Sequence, residues 1–205
     1  RNAADRIADG KAFDSHYYWE KRYANGETSG LGSYGELAIY KAHVINEIVQ
    51  EKGVKTVYEH GCGDGNNLRY YSSIEMYTGG DVSKTAIEAR EKEYEGQTNR
   101  NFVHLNGESI IRELRADLVL SLDVLYHLVD NEVFISYIED LFHMADKHVL
   151  IYAGDFTRAQ DGPHIRFREF TPYLSARFPC WILERSFRKP THLKSAADFF
   201  LYSRI

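Results

Sequence analysis

The spacing of hydrophobic positions divides the chain into an aromatic arm, an amphipathic helix and a long alternation of short apolar runs with helical stretches. Residues 11–25 carry Phe13, Tyr17, Tyr18, Trp19, Arg22 and Tyr23 at spacings of three and four. That predicts a helical arm with Trp19, Arg22 and Tyr23 on one side. Four glycines between positions 26 and 35 predict a specially folded loop. From Glu36 to Lys52, the side chains of Leu37, Tyr40, Val44, Ile45, Ile48 and Val49 share one helical face, and Gly53 is the stop.

Beyond Gly53 the period switches repeatedly. Strands are expected at 54–60, 75–81, 101–106, 115–123 and 146–153, and helices at 66–73, 84–94, 108–113 and 131–143. The runs Leu118-Val119-Leu120 and Val149-Leu150-Ile151 are continuously apolar, as in strands covered on both faces. Alternating β and α with short links implies an α/β fold with a doubly wound, mostly parallel sheet. The rhythm breaks at an irregular charged insert over 154–168, followed by a helix at 169–177. Strands at 180–188 and 197–204, with only Lys189-Pro190 marking the link, predict an antiparallel pair at the sheet edge. This gives an N-terminal arm and glycine-rich lid over 1–35 and a main domain over 36–205, with an acceptor-side insert at 154–178.

A length of 205 residues suits one domain with a small cap. The formal net charge of −5 provides no general basic field, so DNA is not an expected partner. RNA stays open because Arg166, Arg168, Arg177, Arg185 and Arg188 form a basic C-terminal stretch. The two cysteines, Cys62 and Cys180, read as free thiols of a reducing compartment, which points to the cytoplasm. The polar first residues do not read as a signal peptide, and no stretch is apolar enough to span a membrane. The oligomeric state is not legible.

The chemistry concentrates in Thr56-Val57-Tyr58-Glu59-His60-Gly61-Cys62-Gly63-Asp64-Gly65-Asn66-Asn67. It is a strand that breaks on alternate glycines and leads into an expected helix, whose unpaired N–H groups would point at the same spot. There a ligand can lie against bare backbone. The order Glu59, Gly61, Gly63, Gly65 resembles motif I of the class I S-adenosylmethionine-dependent methyltransferases. Gly80-Asp81-Val82-Ser83, Asn106-Gly107-Glu108 and the Ala116 to Leu128 segment follow where that resemblance needs them. It implies a Rossmann-like seven-strand sheet with an antiparallel last strand, and S-adenosyl-L-methionine as cofactor. It also implies roles: backbone at Gly61, Cys62, Gly63 and Gly65 against the methionine part, Glu59 on its ammonium group, and Asp81 with Val82 at the ribose. Glu108 or Ser109 would flank the adenine, and Arg22 beside Trp19 would pair with the cofactor carboxylate. An NAD-type oxidoreductase would instead carry Gly-x-Gly-x-x-Gly.

Asp123, Tyr126 and His127 follow the fourth strand and should border the transferred methyl group. His127 or His164 would serve as base, with Tyr126 and Asp123 beside it. Tyr17, Tyr18 and Tyr34 would close over the acceptor. The alternation His164-x-Arg166-x-Arg168 suits an anionic acceptor such as a carboxylate, phosphate or sugar acid. No clustered Asp/Asn set indicates a metal. The Trp-Glu-Lys-Arg-Tyr and Asp123-to-Leu128 patterns also resemble a small bacterial group associated with surface-glycan or secondary-metabolite gene neighbourhoods. The expectation is therefore O-methylation of a small or glycan-linked acceptor. An RNA or protein methyltransferase and a non-catalytic cofactor-binding module are the alternatives.

Overall fold

The structure is a computed structural model that describes residues 13–106, 113–158 and 164–205. Its centre is a seven-stranded sheet in the order β3-β2-β1-β4-β5-β7-β6. The strands are β1 (Thr56–His60), β2 (Met76–Asp81), β3 (Arg100–His104), β4 (Ala116–Leu122), β5 (Ala145–Ala153), β6 (Trp181–Phe187) and β7 (Asp198–Arg204). The first five pair in parallel. β7 inserts between β5 and the edge strand β6 and runs antiparallel to both. The last two strands therefore do form an antiparallel pair at one edge, as their short link required.

Five helices flank the sheet among the described residues: α1 (Ser15–Ala24), α2 (Gly35–Lys52), α3 (Lys84–Glu93), α4 (Asn131–Met144) and α5 (Thr171–Arg177). Local chemistry sets their ends. Asp14, Ser83 and Asp130 accept backbone N–H groups at the starts of α1, α3 and α4. Gly53 closes α2 in the left-handed region at φ 61°. Two apolar layers sandwich the sheet. Ile45 and Ile48 of α2 pack with Leu118, Leu120 and Leu122 on one face of β4. Val119, on the other face, packs with Ile138 and Leu141 of α4. Continuous apolar runs in β4 and β5 are thus the consequence of burial on both sides.

The expected helix over 66–73 is replaced by a single 3-10 turn, Asn67–Tyr70, after which Tyr71 is extended. Asn and Ser at 66, 67, 72 and 73 are poor helix-interior residues. Ending the turn early also lets Tyr71 drop into the core, where it is 7% exposed. The helix expected over 108–113, apart from its last residue, lies outside the described residues. No described helix is long and apolar enough to cross a membrane.

Strand order places the site. From β1 the chain moves outward to β2 and β3, then returns to β4 on the other side of β1. The loops leaving β1 and β4 diverge there and open a crevice beyond the carboxyl ends of the strands.

Candidate active site

The crevice holds a cavity of about 800 Å³, lined by the glycine turn, the ends of β2 and β4, the arm and one side of α4. That size fits a nucleoside-sized ligand. Gly61 and Gly63 are the positions where glycine is required. Gly61 has φ 86°, and a Cβ there would lie 2.6 Å from Val124 Cγ2. Gly63 has φ 55°, and its Cβ would meet Ser29 Oγ at 2.5 Å and the Tyr23 hydroxyl at 2.6 Å. Side chains at either position would push the β4 loop or the arm away from the turn. Gly65 is packed on Arg90, outside the cavity wall.

The two acids flanking the turn have different fates. Asp81, at the end of β2, lines the cavity and is 5% exposed. Its Oδ2 accepts Gly63 N–H at 2.8 Å and its Oδ1 accepts Ser83 N–H at 2.9 Å. Burial raises its pKa. Glu59 is 2% exposed and is not on the cavity wall. The Tyr77 and Tyr71 hydroxyls donate to its Oε2 at 2.8 and 3.3 Å. Burial pushes its carboxyl up to about 7, against those hydrogen bonds and the nearby Lys41 charge. The spacing that put Glu59 beside a ligand's ammonium group instead leads into the core, because the shortened turn brings Tyr71 onto it.

The arm roofs the cavity through Trp19, Tyr23, Ser29 and Gly32. No α1 residue is fully buried, and polar clasps hold the helix. Glu20 accepts from Ser83 Oγ at 2.7 Å and Thr85 Oγ1 at 2.6 Å, at the start of α3. Asp64 accepts Ser29 N–H at 2.7 Å and the Tyr34 hydroxyl at 2.9 Å. Arg22 donates to the Thr28 carbonyl at 2.6 Å and pairs with Glu27 at 3.6 Å. It braces the lid and is not on the cavity wall. Tyr17, Tyr18 and Tyr34 also lie off the wall. Tyr18 stacks on His164 at 5.3 Å, and Tyr34 is spent on Asp64.

On the β4 side, Asp123, Tyr126 and His127 reach the cavity together. Asp123 has φ 61°, an unfavourable conformation for a residue with a side chain. It accepts from Lys41 Nζ at 2.8 Å and from the Tyr126 hydroxyl at 2.8 Å. His127 Nδ1 lies 3.0 Å from the carbonyl of His164. A carbonyl only accepts, so this nitrogen carries the proton and Nε2 presents its lone pair. Nε2 has no partner among the described residues. Burial lowers the ring's pKa to about 4, so it is neutral near pH 7.

His164 contributes its carbonyl and a ring stacked 5.8 Å behind His127; it does not line the cavity. The two arginines after it do not face an acceptor. Arg166 donates to the Val129 carbonyl at 3.0 Å. Arg168 donates to Leu128 and Val129 carbonyls at 2.7 and 2.6 Å, and lies over the Phe134 ring. They clasp the loop that carries His127. Glu108 and Ser109 lie outside the described residues. Among those residues, no group of three His, Cys, Asp or Glu side chains converges to hold a metal.

Sequence reasoning missed Lys41, His60 and Tyr137. Lys41 was detectable as a charge on the apolar stripe of α2, four residues from Leu37 and from Ile45. His60 lines the cavity, hydrogen-bonds the Tyr58 hydroxyl at 2.9 Å and stacks on Tyr137 at 4.4 Å. Nothing in the spacing indicated that pairing.

A glycine turn, a strand-end carboxylate and a roofed crevice at the switch point of a 3-2-1-4-5-7-6 sheet define a nucleoside-cofactor site of the methyltransferase type. Residues 58–148 match the family model described as a methyltransferase domain. No curated protein matches the chain in sequence. Among solved structures, the N-methyltransferase NodS from Bradyrhizobium japonicum WM9, in complex with S-adenosyl-L-homocysteine, superposes with TM-score 0.68 at 14% identity. The match covers 93% of this chain and 98% of that one. Magnesium protoporphyrin IX methyltransferase from Synechocystis PCC 6803, with bound S-adenosylmethionine, matches with TM-score 0.66 at 16% identity, over 95% and 99% of the two chains. An O-methyltransferase family protein from Burkholderia thailandensis matches with TM-score 0.59 at 15% identity, over 82% of this chain and 57% of that one. The structural matches establish the fold, and the domain match carries the activity. The chain carries a methyltransferase domain on the fold of the class I S-adenosylmethionine-dependent methyltransferases.

Proposed function

We propose that the chain methylates a hydroxyl of a small, uncharged polar acceptor, such as a sugar or glycan unit, with His127 as general base. The observation that carries this reading is the His127 ring: on the cavity wall, fixed by the His164 carbonyl, neutral, with Nε2 unpartnered among the described residues. S-Adenosylmethionine, when bound, supplies an electrophilic methyl group on a sulfonium. The backbone from Gly61 to Gly63 would hold its methionine part, and the remaining lone pairs of Asp81 would accept the ribose hydroxyls. Val82 borders the same wall. Trp19 and Tyr23 offer aromatic faces that attract a cation. The Tyr126 hydroxyl donates to Asp123, which leaves its oxygen free to accept from the acceptor and orient it. His127 Nε2 takes the hydroxyl proton as the oxygen attacks.

The anionic form of the acceptor loses its support. Arg166 and Arg168 are spent on backbone carbonyls. The described cavity wall carries Asp81, Asp123, Glu132, Glu139 and Asp140 but no lysine or arginine. A carboxylate or phosphate there would meet no countercharge.

The test is methyl transfer from labelled S-adenosylmethionine to matched sets of neutral, phosphorylated and carboxylated polyols and sugars, with RNA as a further acceptor. Transfer to neutral hydroxyls is expected, and His127→Ala should slow it by roughly a hundredfold or more. Transfer only to anionic acceptors or to RNA, or full activity in the variant, would overturn the reading.

A further inference from the structure

Lys41 is a buried cation that methyl transfer does not obviously need. It lies on the apolar stripe of α2 among Val44, Ile45 and Ile48, and is 0% exposed. Burying an ammonium group is costly unless it is well paired, and an apolar residue would fill the same stripe without that cost. Among the described residues its carboxylate partner is Asp123, at 2.8 Å, and its ammonium also lies 5.5 Å from the centre of the Tyr152 ring.

Asp123 is held on the sides that do not face the cavity. Its N–H donates to the Tyr152 carbonyl at 3.0 Å, its Oδ1 takes the Tyr126 hydroxyl, and the lid packs on it at Gly32, whose Cβ would lie 3.1 Å from Oδ2. It sits one residue before Val124, the side chain that touches Gly61, and four before His127. Asp123 is therefore the carboxylate between the glycine turn and the base. Of the other carboxylates near the turn, Glu59 lies behind Tyr71 and Tyr77, and Asp81 is tied to the Gly63 and Ser83 N–H groups at the far end of β2.

We infer that Lys41 is a positioning residue that cancels the charge of Asp123 beside the transferring methyl group, and so sets how the site discriminates sulfonium cofactor from neutral thioether product. An unpaired carboxylate at that place would stabilise the sulfonium ground state, whose positive charge disappears during transfer, and would raise the barrier. The Lys41–Asp123 pair holds Tyr126 in place without that penalty. The inference rests on the proposed position of transfer at the His127 end of the cavity.

The experiment is calorimetric titration of S-adenosylmethionine and S-adenosylhomocysteine into wild type, Lys41→Met, Asp123→Asn and the double variant, each checked for cooperative melting. Lys41→Met is measured at pH 9 and Asp123→Asn at pH 6, each against wild type at the same pH, so that the unpaired group stays charged. Because both ligands share every group but the sulfonium, a merely structural defect weakens both equally. The preference for S-adenosylmethionine should rise roughly tenfold in Lys41→Met and fall roughly tenfold in Asp123→Asn. It should return to the wild-type value in the double variant, which also serves if Lys41→Met does not fold. An unchanged preference in the folded variants overturns the inference. Failure of the His127 reading shows separately, as full transfer by His127→Ala.

Discussion

The two halves of the crevice solve recognition differently. At the ends of β1 and β2, backbone shape does the work: Gly61 and Gly63 clear space, and Asp81 ties the turn to the start of α3. Beyond β4 and in the insert, charged and aromatic side chains do it, and most serve the protein itself. Arg166 and Arg168 clasp carbonyls, His164 anchors a ring, and Lys41 answers Asp123. Charges on an irregular segment must first satisfy the backbone that the segment leaves unpaired, so few are left for a ligand. Backbone recognition can be spelled in a motif; side-chain recognition depends on which distant group arrives.

That contrast can be broken by substitution. The largest effect is expected in the backbone half. Gly63→Val combines a left-handed β-branched residue with displacement of Ser29 and Tyr23, at a cost of about 4 kcal/mol. Affinity for S-adenosylhomocysteine should fall on the order of a thousandfold by calorimetry; unaltered affinity would mean that the turn does not contact the cofactor. In the side-chain half, Arg168→Met strands the Leu128 carbonyl and leaves the Val129 carbonyl to Arg166 alone. It should cost about 3 kcal/mol in denaturant unfolding, with acceptor KM little changed. A large KM effect without loss of stability would restore the arginine to acceptor binding.

A third test uses pH. His60 and His127 are held at about 3 and about 4, below the ordinary 6.5, by burial. The unfolded chain therefore takes up protons first. The stability these rings contribute is present above pH 6.5 and is lost as pH falls toward their folded values. Each removes about 2 kcal/mol between pH 6.5 and 5. Glu59, raised to about 7, runs the opposite way: its contribution is complete below pH 4.5 and disappears as pH rises through 7. Wild type should thus lose stability on acidification, and His60→Gln should lose about 2 kcal/mol less over that interval. The smallest effect belongs to the arm. Glu20→Ala unties α1 from Ser83 and Thr85 and should speed amide exchange in α1 by less than tenfold, below about 1 kcal/mol. Melting of the sheet should not change.

The alternation of strands and helices, the antiparallel last pair and the glycine turn were legible because period and punctuation act locally. β4 shows this: its apolar run specifies burial on both faces before any partner is known. The stop at Tyr71 was not legible, since it depends on the space between Glu59 and Tyr77. Nor could the alternation His164-x-Arg166-x-Arg168 say that its face meets the 128–129 carbonyls instead of a ligand. Lys41 lay in plain view as a flaw in an apolar stripe, but its meaning needed Asp123, 82 residues away.

His127 is the base in the proposed transfer, and nitrogen NMR of labelled histidine in the complex with S-adenosylhomocysteine reads its protonation directly. The predicted result is a neutral ring with the proton on Nδ1, staying neutral down to about pH 5. A proton on Nε2, or titration at the ordinary 6.5, would contradict it.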